Sequence, residues 1–121
     1  MQKEIQTRLP LTEPMFFVLA ALADGDKHGW GILKDVEDLT QGRVSLSPGT
    51  LYGIIKRLLE WEWIAESEQR PPQRWDDRRR KYYRLTDQGR EAAQAEARRL
   101  QGAVDLARGK HLLRAPKGGP A

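Results

Sequence analysis

The chain has 121 residues, enough for one domain with a modest core, and it contains no cysteine, which excludes a disulfide framework and a thiolate metal site. Its 21 Lys and Arg residues against 17 Asp and Glu residues give a formal charge of +4, which permits an anionic partner without requiring one. The sequence has no apolar signal region and no apolar run of membrane-spanning length, so we expect a soluble, cytoplasmic protein.

Two amphipathic helices are predicted after a polar arm at residues 1–10. Thr12 can cap the first helix, in which four apolar residues recur at helical spacing: Met15, Val18, Leu19 and Leu22. The second helix is predicted from about Lys27 to Gln41, with Gly42 as the C′ residue that stops it. Its inward-facing apolar residues are predicted to be Ile32, Leu33, Val36 and Leu39.

A third helix is predicted to open at Ser47, a good N-cap, with Pro48 at the first helical position, where its missing N–H costs nothing. Its apolar face consists of Leu51, Ile54, Ile55 and Leu58. The opposite face is small at its N-terminal end, then hydroxylated and basic, with Gly49, Thr50, Tyr52, Gly53, Lys56 and Arg57. Each glycine weakens a helix by about 1 kcal/mol relative to Ala, so the two glycines indicate that something bulky, such as a DNA groove, approaches the backbone.

The order of these helices fits a helix-turn-helix unit or a plain three-helix bundle, and the segment that follows separates the two. Residues 63–68 are predicted to form a strand, and residues 78–85 return as a second strand after a proline-containing loop. A short strand at residues 44–46 could pair with this hairpin. A hairpin directly after the third helix is typical of the wing of a winged-helix domain.

The second strand and its loop are predicted to have an apolar side and a strongly basic side. Tyr83 and Leu85 are expected to face the core, and Tyr82 to face away from it. Only Asp76 and Asp77 are acidic in a stretch that carries many cations: Arg70, Arg74, Arg78, Arg79, Arg80, Lys81 and Arg84. Such a run is usually a solvated face, but beside a candidate recognition helix it favours contacts with phosphates.

A last helix is predicted from its Thr86 cap to about Leu113, roughly 40 Å at 1.5 Å per residue. It carries a heptad-like seam of mostly small apolar residues: Ala93, Ala97, Leu100, Val104, Ala107 and His111. The seam could pack back on the chain's own domain or pair with another chain, and its length and regularity favour a dimer. Residues 114–121 are expected to form a disordered tail.

Several strings of this sequence resemble the PadR family of transcriptional regulators, in its short form with a winged helix and one C-terminal dimerisation helix. They are His28-Gly29-Trp30-Gly31-Ile32, Leu46-Ser47-Pro48-Gly49-Thr50-Leu51-Tyr52, Lys56-Arg57-Leu58, and Arg80-Lys81-Tyr82-Tyr83-Arg84-Leu85-Thr86 with Gly89-Arg90. The resemblance covers roughly residues 11–110. It implies a mainly α fold with a small β-hairpin wing, in which residues 11–86 form the winged helix-turn-helix and residues 87–113 the dimerisation helix. One departure is Glu62, where the family usually has Gly, so a left-handed turn there would be strained.

The resemblance also implies a homodimer that binds double-stranded DNA at a palindromic operator and represses transcription, with release by a small aromatic effector in many members. The residues then expected to bind DNA are Ser47, Pro48, Gly49, Thr50, Tyr52, Gly53, Lys56, Arg57, Arg78, Arg79, Arg80 and Lys81. Those expected at the dimer interface, where the last helix meets the partner's first helix, are Met15, Leu19, Leu22, Ala93, Ala97, Leu100, Val104 and Ala107. No metal site is expected, because His28 and His111 share no ligand spacing with nearby acids, and no cofactor is expected.

Two other classes of function compete with a DNA-binding regulator. A winged-helix module that binds protein instead of DNA would have the same fold, and removing the basic charges of the wing would distinguish it. An enzyme is the weaker rival, because no nucleophile–base pair, metal cluster or phosphate-cradling loop is recognisable. Among the tryptophans, Trp30 and Trp63 are expected in the core, whereas Trp61 could contact an effector or a partner and Trp75 a DNA sugar.

Overall fold

Five helices and three strands make up the part of the chain that the computed structural model describes, residues 2–68 and 81–114. The helices are α1 (Gln2–Arg8), α2 (Glu13–Ala21), α3 (Gly29–Leu39), α4 (Pro48–Glu60) and α5 (Asp87–Gly109). The strands are β1 (Lys27–His28), β2 (Ile64–Ser67) and β3 (Tyr82–Leu85), in one antiparallel sheet of order β1-β3-β2. A helix-turn-helix of α3 and α4, followed by a hairpin of β2 and β3, is a winged helix and confirms the predicted fold class.

Within the segment expected to be a polar arm, residues Gln2–Arg8 form the helix α1. Its Ile5 is only 4% exposed and belongs to the hydrophobic core, and α1 packs against α5. In the last turn of α1, the guanidinium of Arg8 lies over the ring of Trp61, 4.6 Å from its centroid. A single buried apolar residue produces no periodicity, so the sequence pattern gave no sign of this helix.

α2 and α3 both begin with a side-chain cap. The Thr12 hydroxyl accepts a hydrogen bond from the Met15 N–H at 3.3 Å, which confirms the predicted start of α2. α3 starts two residues later than predicted because Lys27 and His28 belong to β1. His28 Nδ1 then accepts a hydrogen bond from the Gly31 N–H at 3.0 Å. Each cap satisfies an N–H group that the first turn of a helix leaves without an intrahelical partner.

The end of α3 differs from the prediction in two ways. Gln41, with a φ of 54°, is the C′ residue, and Gly42 follows it as C″ and donates a hydrogen bond to the Glu37 carbonyl at 2.8 Å. Leu39, predicted to face inward, is 57% exposed, whereas the next residue, Thr40, is buried. The Thr40 hydroxyl hydrogen-bonds to backbone atoms on both sides of the turn. The turn after α3 therefore buries Thr40 and leaves Leu39 exposed, although the helical period predicts that Leu39 is buried.

The third strand of the sheet is β1, and the suggestion that residues 44–46 fill this place is wrong. Lys27 pairs with Tyr83 and His28 with Tyr82, while β2 pairs with the other edge of β3. Tyr83 is buried as predicted, but Tyr82 is also buried, at 3% exposure, which contradicts its predicted outward orientation. The ring of His28 packs edge-on against Tyr82, 5.2 Å between centroids, and so covers the second face of the sheet.

The corner between α4 and β2 positions the start of α5. Glu62 has a φ of 61° and so adopts the left-handed conformation for which the family usually has glycine. Trp63 beside it is 2% exposed and lies in the core, as predicted. The hydroxyl of Thr86, the N-cap of α5, donates a hydrogen bond to the Glu62 carbonyl at 2.7 Å. A Cβ at Gly89 would lie 1.9 Å from the Trp63 carbonyl oxygen, so glycine is required there for the close approach of α5.

The first half of α5 packs on the domain through Ala92 and Glu96, which are 0% and 2% exposed. Both carboxylate oxygens of Glu96 accept hydrogen bonds from the Arg99 guanidinium at 2.8 Å. These bonds, together with one from the backbone of Leu11, hold the pKa of Glu96 below its usual value against the opposing effect of burial. The hydrogen bond from the Leu11 backbone therefore ties α5 to the segment that joins α1 and α2, while Arg99 balances the Glu96 charge within α5.

The second half of α5 carries exposed apolar side chains, with Leu100 at 39% and Leu106 at 65% exposure. The helix has 23 residues, or about 35 Å, and ends four residues before the predicted point. It ends there because His111, with a φ of 64°, turns the chain, and the Leu112 N–H donates to the Ala107 carbonyl at 2.8 Å.

Candidate nucleic-acid interface

The local sequence determines how α4 is oriented on the domain. The Ser47 hydroxyl accepts a hydrogen bond from the Thr50 N–H at 3.1 Å, so Ser47 is the N-cap that the sequence predicts. On the inner face, Leu51, Ile55 and Leu58 are at most 2% exposed. The residues of α4 and its cap that were predicted to bind DNA are all exposed: Ser47, Pro48, Gly49, Thr50, Tyr52, Gly53, Lys56 and Arg57. We call this set the outer face of α4.

The two glycines of the outer face have no role in the packing of the described chain. A Cβ added at Gly49 or at Gly53 would meet nothing within 4 Å, and neither residue has a positive φ. They differ in this respect from Gly89, where a Cβ would collide with backbone. Their cost to helix stability, about 1 kcal/mol in a helix interior, is therefore not offset by any internal contact.

Tyr52 has a second role that the sequence did not reveal. Its side chain is 52% exposed, yet its hydroxyl oxygen lies 2.5 Å from the position that a Cβ on Gly29 would occupy. Tyr52 thus packs between α4 and the start of α3, and glycine at position 29 leaves room for its ring.

Inside the domain, burial raises the pKa of the Tyr83 phenol, and the nearby Tyr52 and Glu66 raise it further.

The cations of the candidate interface lie on α4 and at the foot of the wing. Lys56 and Arg57 are exposed on α4. Lys81, also exposed, lies just before β3, where its ammonium is 4.0 Å from the Glu66 carboxylate. The other predicted wing contacts, Arg78, Arg79 and Arg80, lie outside the described residues, as does Trp75.

Family membership follows from comparison with known proteins. The sequence profile named "Transcriptional regulator PadR-like family" matches residues 18–95, which include α3, α4 and the sheet. The chain belongs to the PadR family. Since members of this family are transcriptional regulators, the prediction that the chain is not an enzyme is confirmed.

Two curated transcriptional regulators are similar in sequence to this chain. The transcriptional regulator Rv3488 of Mycobacterium tuberculosis is 36% identical over 84 residues, which are 69% of this chain and 72% of that protein. The Escherichia coli transcriptional regulator YqjI is 33% identical over 72 residues, 60% of this chain. The matched part is 31% of the length of YqjI and 25% of a 37.1 kDa protein from a Streptomyces fradiae transposon.

Solved structures share the winged-helix fold at lower sequence identity. A PadR family transcription regulator from Clostridium difficile superposes with a TM-score of 0.66 at 21% identity, covering 80% of this chain and 96% of that one. Bacillus subtilis PadR in complex with operator DNA superposes with a TM-score of 0.57 at 20% identity, covering 71% of this chain and 47% of that one. At these identities the likeness concerns the fold.

The predicted dimer-interface residues fall into two groups. Met15, Leu19 and Leu22 of the α2 region are 4%, 0% and 2% exposed and lie in the chain's own core. The α5 residues are partly or fully exposed: Ala93, Ala97, Leu100, Val104 and Ala107. Exposed Leu106 lies on α5 away from the seam and was not predicted. The apolar surface of α5 is therefore wider than the heptad pattern indicated.

The tryptophans also divide in a way that the sequence only partly anticipated. Trp30, expected in the core, is 59% exposed in the first turn of α3, and that expectation is wrong. Trp61 is partly exposed, with its ring in edge-on contact with Trp63 at 4.9 Å and under the guanidinium of Arg8. Neither hydropathy nor spacing distinguishes a buried Trp from an exposed one, so only the fold could separate them.

Within residues 2–68 and 81–114, no three His, Cys, Asp or Glu side chains come close enough together to hold a metal ion. In the same described part, no helix is both long and apolar enough to cross a membrane.

Proposed function

We propose that this PadR-family chain is a homodimeric, sequence-specific DNA-binding protein that represses transcription. The observation that carries the proposal is the outer face of α4, where two helical glycines lie over open space beside exposed hydroxyl and basic side chains. A helix that lies in a major groove needs such a slim, polar surface. Bacillus subtilis PadR, whose fold this chain shares, has been solved in complex with operator DNA.

The charges of the described surface support a phosphate-containing partner. The N-terminal end of α4 has the positive end of the helix dipole, and Ser47 there leaves further N–H groups free for an anion. Lys56 and Arg57 follow on the same helix, and Lys81 stands at the foot of the wing. We assign base contacts to Thr50, Tyr52 and Lys56, and backbone contacts to Arg57 and the basic residues of the wing.

The second half of α5 supports a homodimer. Its exposed leucines and small alanines form a surface that no described part of the chain covers. A helix with that surface is stabilised when a second copy buries it. Met15, Leu19 and Leu22 are core residues, so they would hold α2 in place within each chain. The direct contacts between the two chains of the dimer would come from α5.

Repression and release by a small aromatic effector complete the proposal. A winged helix bound at a palindromic operator blocks other proteins from the same DNA, which is the simplest route to repression. The partly exposed Trp61 is the aromatic side chain on which an effector could stack, although Arg8 covers one face of its ring. Adding aromatic acids to the preformed DNA complex tests whether any of them releases the duplex.

The test of DNA binding starts by selecting a random-sequence duplex pool on the full chain. The winning duplex is then titrated by fluorescence anisotropy between 50 and 200 mM salt. A dimer that neutralises about 6–10 phosphates should lose roughly 10³–10⁵ in affinity across that range. The selected sites should be palindromes whose half-sites lie about 34–36 Å apart.

Variants that remove a positive charge test whether the outer face of α4 is the surface that binds DNA. Lys56→Met should weaken binding, because a base contact in the groove and one cation of the DNA-facing surface are lost. Lys110→Met is the matched control, since Lys110 is also an exposed lysine and lies at the end of α5. If no duplex is enriched, or if the salt dependence is flat, the DNA proposal is wrong and the rival function, a module that binds protein, is favoured.

A further inference from the structure

We propose that Trp30 contacts the DNA backbone between the recognition helix and the wing, an inference that rests on the proposed DNA-binding function. Trp30 is 59% exposed, although it was expected to lie in the core. A single exposed Trp needs no special role, so the argument depends on what stands on either side of it.

Trp30 directly follows two residues that contact the two elements that would bind DNA. Two residues before it, His28 of β1 pairs with Tyr82 of β3, the strand that leads out of the wing. One residue before it, Gly29 lies against the hydroxyl of Tyr52 on the outer face of α4. A duplex that contacts both α4 and the wing must therefore pass the first turn of α3, where Trp30 projects.

The charges along α3 would limit its contact with DNA to the first turn of the helix. Lys34, one turn after Trp30 on the same side of the helix, is exposed and would attract phosphate. Glu37 and Asp38, a further turn along, are exposed carboxylates and would repel it. The first turn also has the positive end of the helix dipole. An anionic strand is thus favoured beside Trp30 and disfavoured beyond Lys34.

The indole suits a backbone contact better than a base contact. Its flat apolar face can lie on a deoxyribose ring, and its one N–H can donate to a phosphate oxygen. Neither group carries sequence information, so Trp30 would position α4 in the groove and leave base reading to the outer face of α4.

The experiment compares Trp30→Ala and Trp30→Phe with the native chain on a duplex selected from a random pool. Trp30→Ala should bind about tenfold more weakly at every salt concentration, with an unchanged salt slope, because an aromatic anchor but no charge is lost. Trp30→Phe should recover part of that loss, since it keeps a ring and removes only the N–H. Thermal unfolding of both variants should match the native chain, because the side chain is largely exposed.

Leu39→Ala is the matched control, because Leu39 is 57% exposed at the other end of the same helix. It should bind DNA like the native chain. Intrinsic fluorescence gives a second readout: the selected duplex should protect the native chain from acrylamide quenching, and this protection should be smaller in Trp30→Phe, which keeps the other three tryptophans.

Three outcomes separate the two proposals. If the native chain binds no duplex, the DNA-binding function itself is wrong, and the inference about Trp30 goes with it. If the native chain binds but Trp30→Ala binds equally tightly, only the inference about Trp30 is overturned. If Trp30→Ala loses affinity together with thermal stability while Trp30→Phe restores both, Trp30 is a packing residue, and the inference is again overturned.

Discussion

One substitution on the outer face of α4, Gly53→Ala, is expected to raise stability and lower DNA affinity at the same time. A Cβ at Gly53 would meet nothing within 4 Å, so alanine fits without moving a neighbour. Ala is more favourable than Gly inside a helix by about 1 kcal/mol, partly because the unfolded chain loses conformational freedom. For a chain of 121 residues this gain corresponds to a rise of about 4 °C in Tm.

The added methyl group would stand between the α4 backbone and any duplex that lies against it. Overfilling a close-packed contact costs about 1–3 kcal/mol, which corresponds to a Kd about 5- to 150-fold weaker. Circular dichroism melting gives the Tm, and anisotropy on the selected duplex gives the Kd. We expect the Tm to rise and the affinity for DNA to fall.

Gly102→Ala provides the matched control. Gly102 also lies inside a helix, α5, and a Cβ there would likewise meet nothing within 4 Å. Its substitution should raise the Tm by a similar amount, and sedimentation is measured alongside because Gly102 lies in the half of α5 assigned to the dimer. A Gly102→Ala chain that stays dimeric should bind the duplex with an unchanged Kd. A Gly53→Ala chain that is stabilised yet binds DNA as tightly as the native chain would refute the close approach of DNA to α4.

Three further predictions concern stability and are read from thermal melting. Glu62→Gly should stabilise the chain by about 0.5–1 kcal/mol, because it relieves a left-handed φ of 61°, whereas Glu60→Gly at the last residue of α4 should destabilise it. Gly89→Ala should cost about 3 kcal/mol, because its Cβ collides with backbone, and a normal Tm would show that α5 can shift. Glu96→Gln should lower the Tm near pH 7, since the pKa of Glu96 is held below its usual 4.5, so the carboxylate stabilises the folded chain above that pH. That difference should vanish as the pH falls through the folded pKa, and a deficit that persists at low pH would contradict the role of the charge.

Local rules account for the parts of the structure that the sequence determined by itself. Thr12, Ser47 and Thr86 cap α2, α4 and α5 as predicted, because a cap depends only on a side chain and the three residues after it. The apolar period of α4 likewise determined which face is buried, and so identified the outer face. The family motifs lie in these same local segments, so fold class and family could be predicted together.

Tertiary structure decided whatever depends on contacts between distant segments. β1 exists because Lys27 and His28 meet β3, more than fifty residues later in the chain, and that pairing also buries Tyr82. Leu19 of α2 and Leu22 at its C-cap, both predicted at the dimer interface, are core residues for the same kind of reason, since α2 packs against both α3 and α5. Trp30 and Trp63 are the same residue type with opposite exposure, because only the arrangement of the surrounding helices decides which indole is covered.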